Sequence, residues 1–269
     1  MAKFLTLNTH SWLGEDPKWA LETLGKQILK ADYDVIALQE VNQRIDSPDV
    51  LQAPYTLENQ HHLHEDNYAL KLVEYLKEKG ATYYFTWVYS HIGYDKYHEG
   101  VALLSKQPFS SEKSVLTSAV DDEYNYHTRR ALIAKTTVAG KELCVVSGHF
   151  SWWKSDFKSE WQRLEQALVA EATPLVIMGD FNNPENTPGH ELVLASPLGL
   201  KDSHLAAKKV TGGPTILQDI DGWENNDKAL RIDFIFVSQQ LEVKESHVLF
   251  DGKKSPLISD HFGVECVIE

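Results

Sequence analysis

The chain has 269 residues, of which 42% are hydrophobic and 24% are charged, as is usual for a globular protein. Its formal net charge of -13 argues against nucleic acid or an anionic membrane as a partner, since either requires many lysine and arginine side chains. No apolar stretch is long enough to span a bilayer, and the first residues have the pattern of a strand rather than a signal peptide. We therefore predict a cytoplasmic protein, with a single domain over residues 1–269.

The two cysteines, Cys144 and Cys266, each lie within an apolar run typical of a strand. Buried free thiols are expected at such positions, and they fit a reducing compartment better than a disulfide does. Neither cysteine has the polar sequence context that activates a catalytic thiol.

The first forty residues have the pattern of a β-α-β unit. Residues 3–8 alternate like a strand and end at Asn8. A helix is predicted over 17–31, where an aspartate cap is followed by proline and by apolar residues at helical spacing. A buried strand over 34–40 follows and ends at Glu40. Both strands therefore end in a polar side chain.

Loops and regular elements alternate in the next part of the chain. Residues 42–66 contain Pro, Asn, Asp and three histidines, and we predict a long loop facing solvent or substrate; a metal-binding histidine tract is the alternative. A helix over 67–80 and an aromatic strand over 83–89 follow. A polar, aromatic loop is predicted for 90–99, before a strand over 100–105.

The rest of the chain contains a hairpin, a helix and four further strands. The hairpin pairs residues 130–138 with 142–148 and ends at His149. A helix capped by Ser155 leads to the apolar strand 175–178. After residue 188 the chain is rich in loop residues, and its remaining strand-like runs are 232–238, 243–250 and 262–268. This mixture indicates two sheets with helices outside them.

Two polar residues follow the strand 175–178. Side chains at i and i+2 of a strand point to the same side, so Asp180 and Asn182 would converge on one spot. Oxygen-bearing side chains at strand ends are how α/β sheets present chemistry. The alternative is an ordinary turn, because Asp, Asn and Pro are common turn residues.

Polar residues stand at the ends of seven predicted strands, which indicates one shared site at an edge of the sheets. They are Asn8, Glu40, Glu99, His149, Asp180, Asn182, Asp233, Asp260 and His261. The carboxylates and amides among them are hard oxygen ligands, which suit Mg²⁺ or Mn²⁺.

Seven short motifs include these residues. They are Leu-Asn-Thr at 7–9, Leu-Gln-Glu-Val at 38–41, Glu-Gly-Val-Ala-Leu-Leu-Ser at 99–105, Ser-Gly-His-Phe at 147–150, Gly-Asp-Phe-Asn at 179–182, Arg-Ile-Asp-Phe-Ile at 231–235 and Ser-Asp-His-Phe-Gly at 259–263. In order and spacing, the chain resembles the endonuclease/exonuclease/phosphatase superfamily over essentially its whole length. The resemblance implies a DNase I-like α/β fold, with two packed, mostly antiparallel β-sheets flanked by helices in a four-layer sandwich.

The resemblance also implies a magnesium site. Glu40 would be the principal Mg²⁺ ligand, with Asn8 beside it and Asp260 nearby, and Mn²⁺ is an expected substitute. The superfamily often has an acidic residue two places after the first asparagine. This chain has His10 there, which leaves a second metal position open.

Six catalytic residues are implied by the same motifs: Glu99, His149, Asp180, Asn182, Asp233 and His261. The Asp–Asn pair would orient the attacking water and the phosphate. His261, held by Asp233, would act as a general base or polarise the phosphate, and His149, oriented by Glu99, would assist the leaving group. The alternatives to these catalytic roles are that Glu99 is only a surface charge and that Asp233 forms an ordinary salt bridge with Arg231.

Three substrate classes compete within such a family, because the substrate loops and not the fold decide specificity. A nuclease needs a basic groove, and this acidic chain shows none. A sphingomyelinase-like phosphodiesterase needs export and an exposed apolar hairpin, and neither is evident. A small-molecule phosphatase needs only a compact pocket with a few cations, which fits best. A non-catalytic binding module would be expected to lose Glu40, Asp180 or His261, and all three are present.

The predicted substrate-binding residues are cations and rings near the motifs: Arg129, Arg130, Lys154 and Lys96, with Trp152, Trp153, Tyr94, Tyr97, Trp223 and His98. Aromatic faces beside polar loops suit stacking on a sugar. The run from Leu-Asn-Thr-His-Ser-Trp to Leu-Gln-Glu-Val-Asn-Gln resembles the Firmicute maltose 6'-phosphate phosphatase group. We therefore expect a Mg²⁺-dependent sugar-phosphate phosphatase, with a nuclease or a sphingomyelinase-like enzyme as the alternatives.

Overall fold

The computed structural model describes residues 1–50 and 61–269, which form helices and strands in alternation along the chain. The helices are a 3-10 turn (Ser11–Leu13), α1 (Pro17–Ala31), α2 (Tyr68–Glu78), α3 (Phe157–Leu168), α4 (Pro188–Leu194) and α5 (Ser203–Ala206). The strands are β1 (Ala2–Asn8), β2 (Val35–Arg44), β3 (Tyr84–Gly93), β4 (Tyr97–Ser105), β5 (Phe109–Leu116), β6 (Arg130–Val138), β7 (Lys141–His149), β8 (Leu175–Asp180), β9 (Leu200–Asp202), β10 (Lys209–Thr211), β11 (Asp233–Ser238), β12 (Val243–Leu249) and β13 (Gly263–Ile268).

The strands form two sheets. Seven strands are ordered β10-β12-β13-β1-β2-β4-β3, and six are ordered β5-β6-β7-β8-β11-β9. Both sheets are mixed. The pairs β1/β2, β10/β12 and β7/β8 are parallel, and the other strand pairs of the described residues are antiparallel.

Three apolar clusters define four layers. One cluster joins the seven-stranded sheet to α1 and α2, through residues such as Leu24 and Leu72. A second fills the space between the sheets and includes Val176. The third joins the six-stranded sheet to α3 and includes Trp161. This arrangement is the predicted DNase I-like α/β sandwich, so the fold prediction is confirmed.

The outer helices begin and pack for local reasons that the sequence shows. In α1, Pro17 occupies the first turn and Asp16 accepts a hydrogen bond from the backbone of Trp19, as the capping pattern predicts. In α3, Phe157, Trp161 and further apolar residues at helical spacing face the six-stranded sheet. Burial of one such side chain, for example Phe157, contributes about 2 kcal/mol to the free energy of unfolding. The cap position of α3 is Asp156 and not the predicted Ser155.

Three local predictions differ from the structure. The predicted loop 90–99 is mostly a hairpin, because β3 and β4 continue to a tight turn at residues 94–96. Strand β2 extends to Arg44 into the predicted loop 42–66, of which residues 51–60 lie outside the described part. Helix α4 lies in the stretch after residue 188 that the sequence predicts to be rich in loops, and the sequence pattern predicts no element for the edge strand β5.

Both cysteines are buried free thiols, as predicted. Burial raises the pKa of Cys144 to about 12, and it also raises the pKa of Cys266, so neither is a thiolate near neutral pH. Over residues 1–50 and 61–269, no helix combines the length and apolarity needed to cross a membrane.

Candidate active site

The predicted strand-end residues meet because strands alternate their faces. In β8, Val176 and Met178 face the space between the sheets, and Asp180 continues the same face beyond the apolar cluster. Its register partners are His149 on β7 and Asp233 on β11, so the three side chains lie side by side. Polar groups thus continue the inter-sheet layer where its apolar residues end.

Asn8 links this group to the other sheet. Its side-chain nitrogen donates hydrogen bonds to Asp180 Oδ2 at 3.2 Å and to Glu40 Oε1 at 2.9 Å. Glu40 reaches the site through an irregularity, since the pairing of β2 with β4 shifts between Leu38 and Val41. The backbone of Glu40 has a φ of 51°, which is rare for a residue with a side chain. Regular alternation from Leu38 would have turned this carboxylate to the outer face.

His261 is held by the carboxylate of Asp233. Nδ1 of the ring lies 3.0 Å from Oδ2 and 3.2 Å from Oδ1, while Nε2 lies 3.7 Å from Asp180 Oδ2. Burial opposes protonation of the ring, but the charges of Asp233 and Asp180 outweigh it and raise the His261 pKa to about 10. Burial also raises the pKa of Asp180, to about 7. Asp233 thus pairs with His261, and Arg231 pairs with Asp202 and Glu185 instead.

His149 has a different environment. A guanidinium nitrogen of Arg129 lies 3.3 Å from Nδ1, so this atom accepts and the ring carries its proton on Nε2, which faces Asp180 Oδ2 at 3.5 Å. Burial, and then the positive charge of Arg129, lower the His149 pKa well below its usual 6.5. The two histidines therefore differ in charge, with His149 neutral and His261 cationic.

Glu99 does not orient His149, contrary to the prediction. Its Oε1 lies 3.3 Å from Nε2 of His91, whose Nδ1 lies 3.1 Å from the backbone oxygen of Thr128. The pairing of β3 with β4 shifts between Tyr89 and His91, and this irregularity lets His91 face the site. Glu99 is buried at the site and is not a surface charge.

A cation could be held beside Glu40. Oε2 of Glu40 is buried and has no hydrogen-bond partner among the described residues, and burial raises the pKa of this carboxyl group. Nδ1 of His10 lies 3.5 Å from that oxygen and 3.6 Å from Asp260 Oδ2, so His10 occupies the position between the two carboxylates. Glu40 and Asp260 thus present carboxylate oxygens of the kind that Mg²⁺ prefers, while Asn8 turns its amide nitrogen toward Glu40 and its Oδ1 accepts from the backbone of His10.

A second group could also approach an ion. Asp180, Asp233 and His261 bring ligand atoms within 4.8 Å of one another. Nδ1 of His261 already contacts Oδ2 of Asp233, however, so neither of these two atoms is available to an ion unless that contact breaks. The carboxylate of Glu40, with one oxygen unpartnered, fits a cation better.

Asn182 is fixed at both ends of its amide. Nδ2 donates to the backbone oxygen of Phe150 at 3.0 Å, and Oδ1 accepts from Nε1 of Trp223 at 2.7 Å. Its backbone φ of 49° places it in the left-handed region just after β8. Asn182 still lines the site, together with Asp180.

Of the predicted site residues, six line a cavity of about 600 Å³: Glu40, Glu99, His149, Asp180, Asn182 and His261. Asn8, Asp233 and Asp260 are not among its lining residues. The residues that line it beyond the predicted catalytic ones are His91, Ile92, Gly93, Tyr94, Tyr126, His127, Arg129, Trp152, Ser155, Asp221, Gly222 and Glu224. Arg129 is the one guanidinium among the described lining residues, and none of them is a lysine. Aromatic rings and carboxylates make up much of the remaining wall.

Three predicted substrate residues, Arg129, Trp152 and Tyr94, line this cavity, whereas the others do not, including Trp223, which instead bonds to Asn182. His98 points to the outer face of β4, where its ring stacks on His61 with 4.2 Å between centroids. Arg130 pairs with Asp121, and Lys96 lies over the ring of Tyr97. Trp153 packs toward Phe157, and Lys154 is exposed in a turn.

Several lining residues escaped prediction: His91, Tyr126, His127, Asp221 and Glu224. No periodic pattern marks them, because they belong to turns, loops and an irregular strand. The segments 90–98 and 203–228 do supply part of the lining, and their polar and aromatic composition was the signal available.

Comparison with known proteins identifies the family. A family profile described as the endonuclease/exonuclease/phosphatase family matches residues 11–261. The chain belongs to the endonuclease/exonuclease/phosphatase family. Family membership and the structural neighbours indicate a hydrolase that acts on phosphoester bonds. Members of this family typically depend on a divalent metal. No curated protein matches the chain significantly.

Solved structures of the family share the fold. A family protein from Leptotrichia buccalis is 32% identical, with a TM-score of 0.88 and full coverage of both chains. The mannosyl-6-phosphatase of Bacteroides thetaiotaomicron is 17% identical, with a TM-score of 0.70 and full coverage of both chains. D. rerio TDP2, complexed with a single-strand DNA product, is 16% identical, with a TM-score of 0.66 over 100% of this chain and 98% of that chain. The latter two share the fold alone.

Proposed function

We propose that the protein is a divalent-cation-dependent phosphomonoesterase of small sugar phosphates, with a maltose 6'-phosphate-like compound as the substrate class. Residues 1–269 would form one catalytic domain. The buried free thiols of Cys144 and Cys266 support action in a reducing, cytoplasmic environment.

The observation that supports this proposal is the composition of the cavity. It has room for a sugar phosphate at about 600 Å³, and it offers one guanidinium beside the catalytic histidines. A nucleic-acid strand presents a series of phosphates and requires a row of cations, whereas the described wall of this cavity contains no lysine. The net charge of -13 adds a further barrier to a polyanion.

The side chains can divide the work of phosphoester hydrolysis. Arg129 would bind a phosphate oxygen, and Asp180 would orient the attacking water through Oδ2. His149, whose Nδ1 accepts from Arg129, would donate a hydrogen bond from Nε2 to a phosphate or leaving-group oxygen. His261, held by Asp233, would donate from Nε2 to the phosphate as its charge develops.

A divalent cation would be held by Glu40, Asn8 and Asp260. The buried Oε2 of Glu40 supports this assignment, since it makes no hydrogen bond among the described residues and has only Nδ1 of His10 nearby, at 3.5 Å, while burial raises the pKa of the carboxyl group. When bound, the cation supplies positive charge next to the phosphate oxygens. Mg²⁺ is the expected ion, and Mn²⁺ is the expected substitute.

The proposal is tested with a substrate panel under Mg²⁺ and under EDTA. The panel contains maltose 6'-phosphate, glucose 6-phosphate, p-nitrophenyl phosphate, supercoiled plasmid and sphingomyelin. We expect phosphate release from the sugar phosphates that stops in EDTA, with plasmid and lipid intact. If the plasmid is nicked and no phosphate is released from the sugar phosphates, the protein is instead a nuclease.

Two variants test the assigned residues. Asp180→Ala and His261→Ala should each abolish turnover while the protein stays folded, because both lie at the end of the inter-sheet layer. Circular dichroism and thermal unfolding report the fold. Activity retained in either folded variant contradicts the assigned roles.

A further inference from the structure

Tyr94 and Asp221 meet across the mouth of the cavity. Tyr94 lies in the turn between β3 and β4 of the seven-stranded sheet, and Asp221 lies in the loop that precedes β11 of the other sheet. The phenol hydroxyl donates a hydrogen bond to Oδ2 of Asp221, and both residues line the cavity. One side-chain contact therefore joins the two halves of the sandwich above the site.

The turn that carries Tyr94 has an uncommon backbone. Tyr94 has a φ of 53° and Asp95 a φ of 52°, so two successive residues with side chains occupy the left-handed region. Hairpin turns of this kind favour glycine and asparagine, and a tyrosine there is disfavoured by sterics. Such conformations persist where the surrounding structure over-determines them, and they cluster at functional sites.

The opposite partner is held in place by its own loop. Trp223 bonds to Asn182, and Trp152 packs on the backbone of Gly222, where a Cβ atom would come within 2.4 Å of the ring. Gly222 also has a φ of 78°, which glycine adopts freely. The loop that carries Asp221 into the cavity wall is therefore held by two contacts, one at Gly222 and one at Trp223.

The charge of this wall differs from that beside the catalytic histidines. Asp221 and Glu224 bring two carboxylates into the lining from the loop, whereas the three carboxylates beside the catalytic histidines, Glu40, Glu99 and Asp180, are accompanied by the cations Arg129 and His261. Ionised carboxylates only accept hydrogen bonds and repel phosphate, so they suit neutral hydroxyl groups. Tyr94 occupies Oδ2 of Asp221, and the second carboxylate oxygen, Oδ1, is an acceptor for another donor. Tyr94 and Trp152 add aromatic faces to the same wall.

We propose that Asp221 is the specificity-determining residue for the leaving group, accepting hydrogen bonds from the hydroxyls of a sugar, and that Tyr94 is its positioning residue. This inference rests on the proposed phosphomonoesterase function. It adds a division of the cavity into a phosphate side at Arg129 and a hydroxyl side at Asp221.

The test compares leaving groups with and without hydroxyls. Steady-state kinetics on maltose 6'-phosphate and on p-nitrophenyl phosphate give the ratio of the two kcat/KM values for each protein. Asp221→Ala should lower this ratio about tenfold, since a hydrogen bond to a charged acceptor contributes about 1.5 kcal/mol or more. The loss should be in KM for the sugar phosphate rather than in kcat.

Tyr94→Phe is the milder variant, because it keeps the ring and the carboxylate and removes only the hydroxyl that holds Asp221. Tyr94 is half-exposed, so the variant should fold. The ratio should fall about threefold, again through KM. Tyr84→Phe is the matched control, since Tyr84 is similarly exposed at the far end of β3, and its ratio should equal that of the wild type.

The outcomes separate this inference from the function on which it rests. A wild-type enzyme that hydrolyses neither monoester ends both proposals. A wild type active on both, with Asp221→Ala and Tyr94→Phe ratios within twofold of it, overturns the role of Asp221 alone. Equal losses on both substrates also overturn it, because they show that the pair supports the fold and not the recognition of hydroxyls.

Discussion

Nε1 of Trp223 lies 2.7 Å from Oδ1 of Asn182, so an indole from a long loop holds the amide that follows the catalytic strand β8. The other end of the same amide is held by the backbone of Phe150. Asn182 is therefore fixed before any substrate binds, and part of this preorganisation comes from the loop that also carries Asp221.

Trp223→Phe should weaken catalysis while leaving the fold intact. The variant keeps the ring packing but removes the indole donor, so the Asn182 amide loses one of its two anchors. We expect kcat on maltose 6'-phosphate to fall about fivefold to tenfold, the effect of roughly 1 kcal/mol in a positioning hydrogen bond. The control is Trp19→Phe, on the exposed side of α1, which should keep the wild-type rate. An unchanged kcat in Trp223→Phe would show that Asn182 needs no such anchor.

Much of the fold could be predicted from local patterns. Helix α1 was predicted at residues 17–31 because its cap, its proline and its apolar spacing agree. Strand β5 was missed because it lies at a sheet edge and is largely exposed, which leaves no apolar alternation to detect. Helix α4 has seven residues, too few for a helical period to stand out.

Part of the site could likewise be predicted from the sequence, and part could not. The positions of Asp180, His149 and Asp233 follow from strand alternation, so their convergence could be expected. The pairing of Glu99 with His91 depends on a register shift between two strands, which a single-sequence pattern does not encode. Contacts made by loops far apart in sequence are likewise invisible to periodicity.

Asp233→Asn tests the support of His261. The amide matches the carboxylate in shape but carries no charge to stabilise a protonated ring, so we expect kcat to fall about 10²-fold or more. Asp227→Asn, at an exposed aspartate outside the cavity lining, should keep full activity. A folded Asp233→Asn variant within tenfold of the wild-type kcat would contradict the assigned pairing.

Glu40→Gln tests the cation site by stability rather than activity. In EDTA, the variant should be at least as thermally stable as the wild type, because glutamine removes a buried negative charge that burial disfavours in spite of the nearby His10, as the raised Glu40 pKa indicates. Adding Mg²⁺ should raise the melting temperature of the wild type and leave that of the variant nearly constant. Glu191→Gln, in the exposed first turn of α4, is the control and should respond to Mg²⁺ as the wild type does. A full Mg²⁺ response in Glu40→Gln would place the cation elsewhere.

A buried ionic network behind the site gives a prediction about pH. Asp202 Oδ2 lies 3.0 Å from Nε2 of His190 and accepts a hydrogen bond from Arg231 at 2.7 Å, and Arg231 also contacts Glu185. Burial alone would raise the Asp202 pKa, but the bonds from His190 and Arg231 outweigh it and lower the pKa to about 2, from its usual 3.8. The ionised form is therefore favoured in the folded protein.

Because the folded pKa is the lower one, Asp202 stabilises the protein above pH 3.8, and this contribution is lost as the pH falls from 3.8 through 2. A shift of this size corresponds to about 2 kcal/mol. Urea unfolding over a pH series should show Asp202→Asn less stable than the wild type near neutral pH, with the gap narrowing by about 2 kcal/mol at low pH. The free energy of unfolding of the Asp227→Asn protein should differ from that of the wild type by the same small amount at every pH. A gap for Asp202→Asn that does not depend on pH would mean that shape rather than charge at this position stabilises the fold.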